Sequence, residues 1–521
     1  MPLTPRRARS RRRPGGGRRL VRWSASTLAV VILGTAGAGY LYYEHLNGNL
    51  ESGERSSGDS KAERTAPNAA GQTPLNILLI GSDSRASDAN VALGGSRDNR
   101  DNPPLGDVQM LVHLSADRKS AAVVTIPRDT RVDIPECKDP KTGEVFPATN
   151  TIINESLGRG GAGCTLATWE NLTGVYIDHW MTIDFAGVVG MADAIGGVEV
   201  CVKQNVWDRP LPRVPGGSGL KMTAGKQKVE GEQALEWLRT RHAWGSDLLR
   251  ARAQHMYLNS MIRTLKEQSL FTDGPRLARL AEAATDALTV SEEIDSVTKL
   301  YDLGMQLKTV PTNRITMTTM PNVQDPQDEN HVVPAAEDAA AMWAMLRDDV
   351  PFDDNGGKGD KGDKGGKGGK GTAAEKPAKE PSAPDAEIGV QVRNGTRTGT
   401  EAAVPGRAGH IAEELAAQGF ARAAADASGS LAQERTEVTY PSAELEGDAQ
   451  RVAKALGIPL SSVKRSTDVS GVTLVVGADW REGTAYPKRT APEAGDLPDT
   501  ADALNGSDDT PCMDVYAPYR W

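Results

Sequence analysis

WLRTRHAWGSDLLRARAQ, residues 237–254, joins two local patterns across a turn. Arg239 and Arg241 stand two apart. On a strand that spacing puts both guanidiniums on one face, whereas on a helix it splays them by about 200°. Asp247, Arg250 and Gln254 follow at i, i+3 and i+7, one face of a helix. The pattern predicts a strand carrying the two arginines, a turn through Ala243-Trp244-Gly245-Ser246, and a helix from Asp247. Ser246 is placed to cap that helix, and Asp247 favours its positive end. Three arginines, an Asp and a Gln would then converge on one pocket, and such a fork of planar donors suits phosphate or pyrophosphate. The plainer alternative is a solvated helix with surface ion pairs.

The 521 residues exceed one domain, and a hydrophobic fraction of 38% with 55 Gly and 31 Pro implies linkers between real cores. Net charge is -9. Residues 1–23 hold nine Arg and no acid, so the rest of the chain is more acidic than the total shows. Any bound anion must therefore be gripped locally. The basic start invites a nucleic-acid reading, but residues 24–43 are uncharged and long enough to cross a bilayer, flanked by Trp23, Tyr40, Tyr42 and Tyr43. No nucleic-acid partner is expected. The arginines precede the span, which predicts a single-pass anchor with a cytoplasmic N-terminus and the bulk outside. A cleaved signal peptide is the rival reading. Cys137, Cys164, Cys201 and Cys512 lack zinc-site spacing. Of three possible connectivities, Cys137 with Cys164 and Cys201 with Cys512 is favoured, four free thiols being the alternative.

Residues 44–73 are polar and aperiodic and read as a flexible stalk. LNILLIG (75–81), VQMLVHLS (108–115) and AAVVTIP (121–127) read as buried strands. Asp83 and Arg85, Asp107, and Arg128 with Asp129 flank their ends, where ligands gather in α/β sheets. Such carboxylates hold Mg²⁺ through one or two oxygens and leave the rest to water and phosphate. Alternating helices and strands follow to residue 348, including IDHWMTIDF (177–185), VEVCV (198–202) and RITMTTM (314–320). The fold class is α/β, a central mixed sheet flanked by helices.

The strings NILLIGSDSR, GDVQMLVHL, TIPRDTRVDIP, INESLGRGGAGC, IGGVEVCV, AGKQKVEGEQALEWLRTRH and DLLRARAQ together resemble the catalytic domain of the LytR-CpsA-Psr family, over residues 74–350. The resemblance implies a phosphotransferase that moves an anionic glycopolymer, such as a teichoic acid, from a polyprenyl-pyrophosphate carrier to peptidoglycan. The bond it makes is a phosphodiester, usually to the 6-hydroxyl of N-acetylmuramic acid. It puts Asp83 and Asp107 at Mg²⁺-binding positions and Arg85, Arg128, Arg239, Arg241 and Arg250 at the pyrophosphate. Asp247 and Gln254 match an active-site acid and amide. Two positions depart from the family pattern, Leu105 and Ala253, where relatives often carry Arg.

DDNGGKGDKGDKGGKGGKG opens a stretch, 351–386, that reads as a disordered linker. Residues 387–480 alternate strand and helix, and the opening VQVRNGT resembles the accessory domain of some LytR-CpsA-Psr proteins. Residues 481–521 read as a Pro/Asp-rich tail tied down by Cys512.

Overall fold

The computed structural model describes residues 16–65, 67–68, 70–84, 88–93, 102–267, 274–354, 379–397, 402–433, 435–487, 492–508 and 511–521. The chain divides into two units, Met1–Gly357 with Glu493–Trp521, and Lys358–Pro492. The first begins with helix α1 (Gly16–Asn49), in which Ser26–Asn49 is long and apolar enough to cross a membrane.

An eight-stranded mixed sheet organises the first unit. Its strands are β1 (Glu51–Gly53), β2 (Leu75–Ser82), β3 (Gly106–Leu114), β4 (Ala121–Thr125), β5 (His179–Ile183), β6 (Leu288–Ser291), β7 (Ile315–Thr319) and the late strand β13 (Leu504–Asn505). Their spatial order is β1-β6-β5-β2-β3-β4-β7-β13. The centre is buried on both faces because period-2 alternation sends apolar side chains each way. Leu78, Ile80, Leu111 and Val124 pack on one face with Trp169 of α3 (Ser156–Thr173) and Met342 and Trp343 of α9 (Ala336–Arg347). Ile77, Val112, Val123 and Met317 pack on the other, with Leu303 of α8 (Val297–Thr309) and Met256 and Ile262 of α6 (Asp247–Glu267).

β2 and β5 run parallel, β3 runs antiparallel to β2 and to β4, and β7 is parallel to β4. The carboxyl ends of β2 and β4 and the amino end of β3 therefore lie at one edge of the sheet. That edge carries Asp83, Asp107, Arg128 and Asp129.

Residues 44–73 are not all stalk. α1 runs on to Asn49, β1 pairs in parallel with β6, and Arg55 donates to Glu170 Oε1 and Ile177 O at 2.8 and 2.7 Å. A Cβ at Gly163 would meet Ser57 N at 2.6 Å, so the polar segment seats where α3 offers no side chain. The ends of the expected linker are also anchored. Phe352 is buried in the first unit, and Ser382 and Asp385 bond Asp448 and Arg451 in the second. Residues 355–378 lie outside the described residues.

The tail departs most. Residues 493–521 belong to the first unit: β13 pairs with β7, Asp502 pairs with Arg252 at 2.5 Å, and a disulfide joins Cys201 to Cys512. A second disulfide joins Cys137 to Cys164. Both disulfides are the pairs favoured from the sequence, and Cys512 ties down the tail as expected. The pairing of β13 and the Arg252–Asp502 ion pair are long-range, and local sequence pattern carries no trace of them. The second unit is a five-stranded sheet of β8 (Gly389–Gly395), β9 (Arg422–Ala425), β10 (Glu437–Tyr440), β11 (Val463–Arg465) and β12 (Val472–Gly477), with α10 (Arg407–Ala417) and α11 (Glu446–Leu456).

α6 is pinned to the sheet by His255, whose Nε2 lies 2.7 Å from Thr125 Oγ1. Burial holds the ring neutral and pulls its pKa down to about 4. The folded value lies below the unfolded one, so this contribution to stability is intact above about pH 6.5 and is lost as pH falls towards 4. His255→Gln is expected to remove roughly 3 kcal/mol of the decline in unfolding free energy across that window. Urea titrations of both proteins at several pH values check this.

Candidate active site

The helix α5 (Gly231–Arg239) buries Ala234, Leu235 and Trp237 at helical spacing and ends at Thr240, whose hydroxyl donates to Glu236 O at 2.7 Å. The expected strand through Arg239 and Arg241 is therefore absent. Arg239 is the last helical residue and Arg241 lies in the turn. The apolar period of 3.6 overrode the period-2 spacing of the two arginines. The rest of the stretch reads as expected: α6 starts at Asp247, and Leu249 N–H donates to Ser246 Oγ at 3.2 Å.

The turn and the first turn of α6 bring charges over the sheet edge. Arg250 Nη2 lies 3.0 Å from Asp247 Oδ1, and Arg241 Nε lies 3.7 Å from Asp247 Oδ2. Arg128 Nη1 donates to Asp107 Oδ1 at 3.0 Å and Nε to Asp129 Oδ2 at 3.3 Å. The two groups feel one another. Burial works against the charge on Arg128, but Asp107 and Asp129 outweigh it, with help from Asp247, and its pKa rises. Burial pulls the Arg250 pKa down; Asp247, Asp107 and Asp129 oppose the fall and Arg128 adds to it. Three guanidiniums and three carboxylates thus form one balanced, half-buried cluster.

Other predicted site residues lie around it. Asp83 Oδ1 accepts from Leu105 N–H at 2.7 Å, and Asp83 N–H donates to Leu105 O at 3.1 Å. The pairing slips between Gly81 and Ser82, leaving Asp107 as the extra residue of a bulge, a feature that re-aims side chains at functional edges. Arg239 turns to different partners: Nη1 donates to Leu93 O at 2.9 Å and the guanidinium lies 4.8 Å from the centroid of Phe185. Gln254 is buried and its amide donates to Leu238 O at 3.1 Å, supporting the end of α5. Ala253 is also buried, in an apolar cluster with Trp237 and Tyr257, and its carbonyl accepts from Trp237 Nε1 at 3.0 Å, so an Arg there would put a charge into apolar surroundings. Arg85 lies outside the described residues. Asp129 entered the sequence reading as one of the strand-end acids beside arginines and was given no role of its own. Its signal was the strand-end Arg-Asp pair itself.

Among the described residues no three or more His, Cys, Asp or Glu side chains gather to enclose a metal. Mg²⁺ needs no such cage. One or two carboxylates suffice when substrate phosphate and water complete the shell. Asp83 directly follows β2 and Asp107 is the bulge residue of the neighbouring β3, and both are hard oxygen donors. The cluster is also already charge-balanced, so an entering pyrophosphate leaves excess negative charge that a divalent cation offsets. The residues fit the ion.

Residues 40–348 match the LytR_cpsA_psr family, more than half of the chain. The protein belongs to that family. Residues 387–480 match the LytR cell envelope-related transcriptional attenuator domain. The chain is 30% identical over 322 residues to the cell wall biosynthesis protein LcpA of Corynebacterium glutamicum, covering 56% of this chain and 58% of that protein's length. It is 23% identical over 304 residues to the polyisoprenyl-teichoic acid–peptidoglycan teichoic acid transferase TagT of Bacillus subtilis, covering 57% of this chain and 87% of TagT. A solved Streptococcus agalactiae structure aligns with a TM-score of 0.43 at 19% identity, over 53% of this chain and 87% of that one.

Gln254 sits inside this frame as a support for the arginine turn. Gln254→Leu leaves Leu238 O without its donor and is expected to lower the unfolding free energy by about 1–3 kcal/mol. Chemical denaturation checks this, and an unchanged unfolding free energy would remove Gln254 from that role.

Proposed function

We propose that this protein is a membrane-anchored phosphotransferase that moves an anionic glycopolymer from a polyprenyl-pyrophosphate carrier to peptidoglycan. The observation that carries the reading is the Arg128–Arg241–Arg250 cluster, counterbalanced by Asp107, Asp129 and Asp247, at one open edge of the sheet. Family membership and the transferase activity of the relative TagT support it. α1 would span the membrane with its arginine-rich end inside, placing the catalytic unit outside.

Phosphoryl transfer asks the protein mainly for positioning and charge neutralisation. Arg128, Arg241 and Arg250 would exchange carboxylate partners for oxygens of the pyrophosphate, with charge-assisted bonds in place of ion pairs. An acceptor hydroxyl oxygen attacks the phosphorus bonded to the glycopolymer. The new P–O bond forms as the bond to the polyprenyl-phosphate oxygen breaks, and the hydroxyl proton ends on the departing phosphate, giving a phosphodiester and polyprenyl phosphate. Asp247, set between Arg241 and Arg250, would orient both guanidiniums. Mg²⁺, held by Asp83 and Asp107, would supply neutralisation of phosphate charge. Arg239 contributes through the turn and the Phe185 contact rather than from within the cluster.

The assay uses full-length protein, because residues 51–65 and 493–521 are part of the catalytic unit. With a lipid-pyrophosphate donor, a peptidoglycan oligomer and Mg²⁺, Arg241→Ala and Arg250→Ala are each expected to lower transfer by about 10- to 100-fold, from bonds worth roughly 1.5–3 kcal/mol. Arg252→Ala, which among the described residues loses the partner Asp502, should transfer at nearly the wild-type rate. Donor binding without any product in the wild type would replace the transferase reading by that of an envelope protein that binds lipid-linked precursors.

A further inference from the structure

The end of α1 is built into the catalytic unit beside the helix α7 (Gly274–Ala287). Leu46 is buried. Tyr42 Oη donates to Ala278 O at 3.3 Å and to Glu282 Oε2 at 3.2 Å, His45 Nε2 lies 2.8 Å from Glu282 Oε1, and Asn49 Nδ2 donates to Asp286 Oδ1 at 2.6 Å. Both chains rise together, so the two helices run in the same direction. The strands that follow keep that order, with Glu51 opposite Thr289 and Gly53 opposite Ser291.

This fixed register has a consequence at the other end of α7. The offset of 237 residues that relates His45 to Glu282 and Asn49 to Asp286 sets Arg276 level with Gly39 and Arg279 level with Tyr42. Those α1 residues form the outer end of the uncharged span, where Tyr40, Tyr42 and Tyr43 mark an interface. Gly274, Pro275, Arg276 and Arg279 are exposed. The charge order of α7 points the same way. Its first turn has no acid and its last turn no base, the reverse of what the helix macrodipole favours. The basic end lies toward the span, and the acidic end, Glu282 and Asp286, holds α1.

We propose that the amino-terminal turn of α7, through Arg276 and Arg279, seats on anionic lipid headgroups at the outer membrane surface and holds the catalytic unit in one orientation to the bilayer. A cation at headgroup level attracts anionic lipid, and Arg keeps its guanidinium there while its stem lies deeper. A lipid-borne donor would thus meet its site at a set height. The inference rests on the reading of α1 as a membrane anchor.

The test uses full-length protein in phosphatidylcholine vesicles containing phosphatidylglycerol. All four native cysteines are in disulfides, so a single new thiol takes an NBD dye alone. Dye on Pro275→Cys is expected to lose most of its emission to a headgroup spin label and little to aqueous iodide. Dye on Leu33→Cys reports on the anchor and should be quenched by a label deep in the acyl chains. Loss of the Pro275→Cys emission to iodide alone, with the Leu33→Cys dye still quenched from within, overturns the docking while leaving the anchor. An unquenched Leu33→Cys dye overturns both. Arg276→Glu with Arg279→Glu should weaken the headgroup quenching at position 275 in anionic vesicles, and undiminished quenching removes the two arginines from the contact.

Discussion

Three guanidiniums can share one end of a sheet only if something offsets their mutual repulsion. Burial weighs most against the charge on Arg250, and Arg128 adds to it. Asp107, Asp129 and Asp247 resolve the conflict with direct ion pairs. The arrangement is open on one side: side chains of Arg241 and Asp247 remain 47% and 38% exposed, so their partners are exchangeable with an incoming anion. Weak, solvent-facing pairs are easily traded for ligand bonds, whereas deeply buried ones are not.

The scaffold converts strand direction into chemistry. Antiparallel pairing of β3 with both β2 and β4 brings three loops to one edge, and the bulge at Asp107 re-aims a carboxylate there. α6 supplies the remaining charges from its first turn and is fixed to β4 through His255. The last segment of the chain returns after a complete second unit to add β13 and the Cys201–Cys512 bond. It also supports the arginine turn directly: Tyr516 N–H donates to Ala243 O at 2.8 Å, and Tyr519 stacks against His242 with ring centroids 6.2 Å apart. The second unit is thus an insertion in the chain of the first rather than an appendage at its end.

Where the sequence was readable, the physics was local. Buried strands such as LNILLIG announce themselves by continuous apolar runs, and Ser246, Asp247 and Arg250 by capping and i, i+3 spacing. The misread strand at Arg239 shows the limit of that method: spacing of charges competed with the apolar spacing of Ala234, Leu235 and Trp237, and packing won. The seating of residues 51–65, the pairing of β13 and the docking of α1 on α7 depend on partners more than a hundred residues away. A polar stretch that supplies bonds to a distant helix looks, residue by residue, like a linker. Ala253 is a further case, a departure from the family pattern that the structure explains by burial beside Trp237.

In the proposed reaction, pyrophosphate takes the place of carboxylates at this sheet edge. A crystal structure of the full-length protein with a short-chain polyprenyl pyrophosphate tests it directly. Phosphate oxygens are expected within hydrogen-bond distance of Arg128, Arg241 and Arg250, with at least one of the Asp107 and Asp247 pairs opened. Pyrophosphate bound elsewhere, with all of those ion pairs intact, would contradict it.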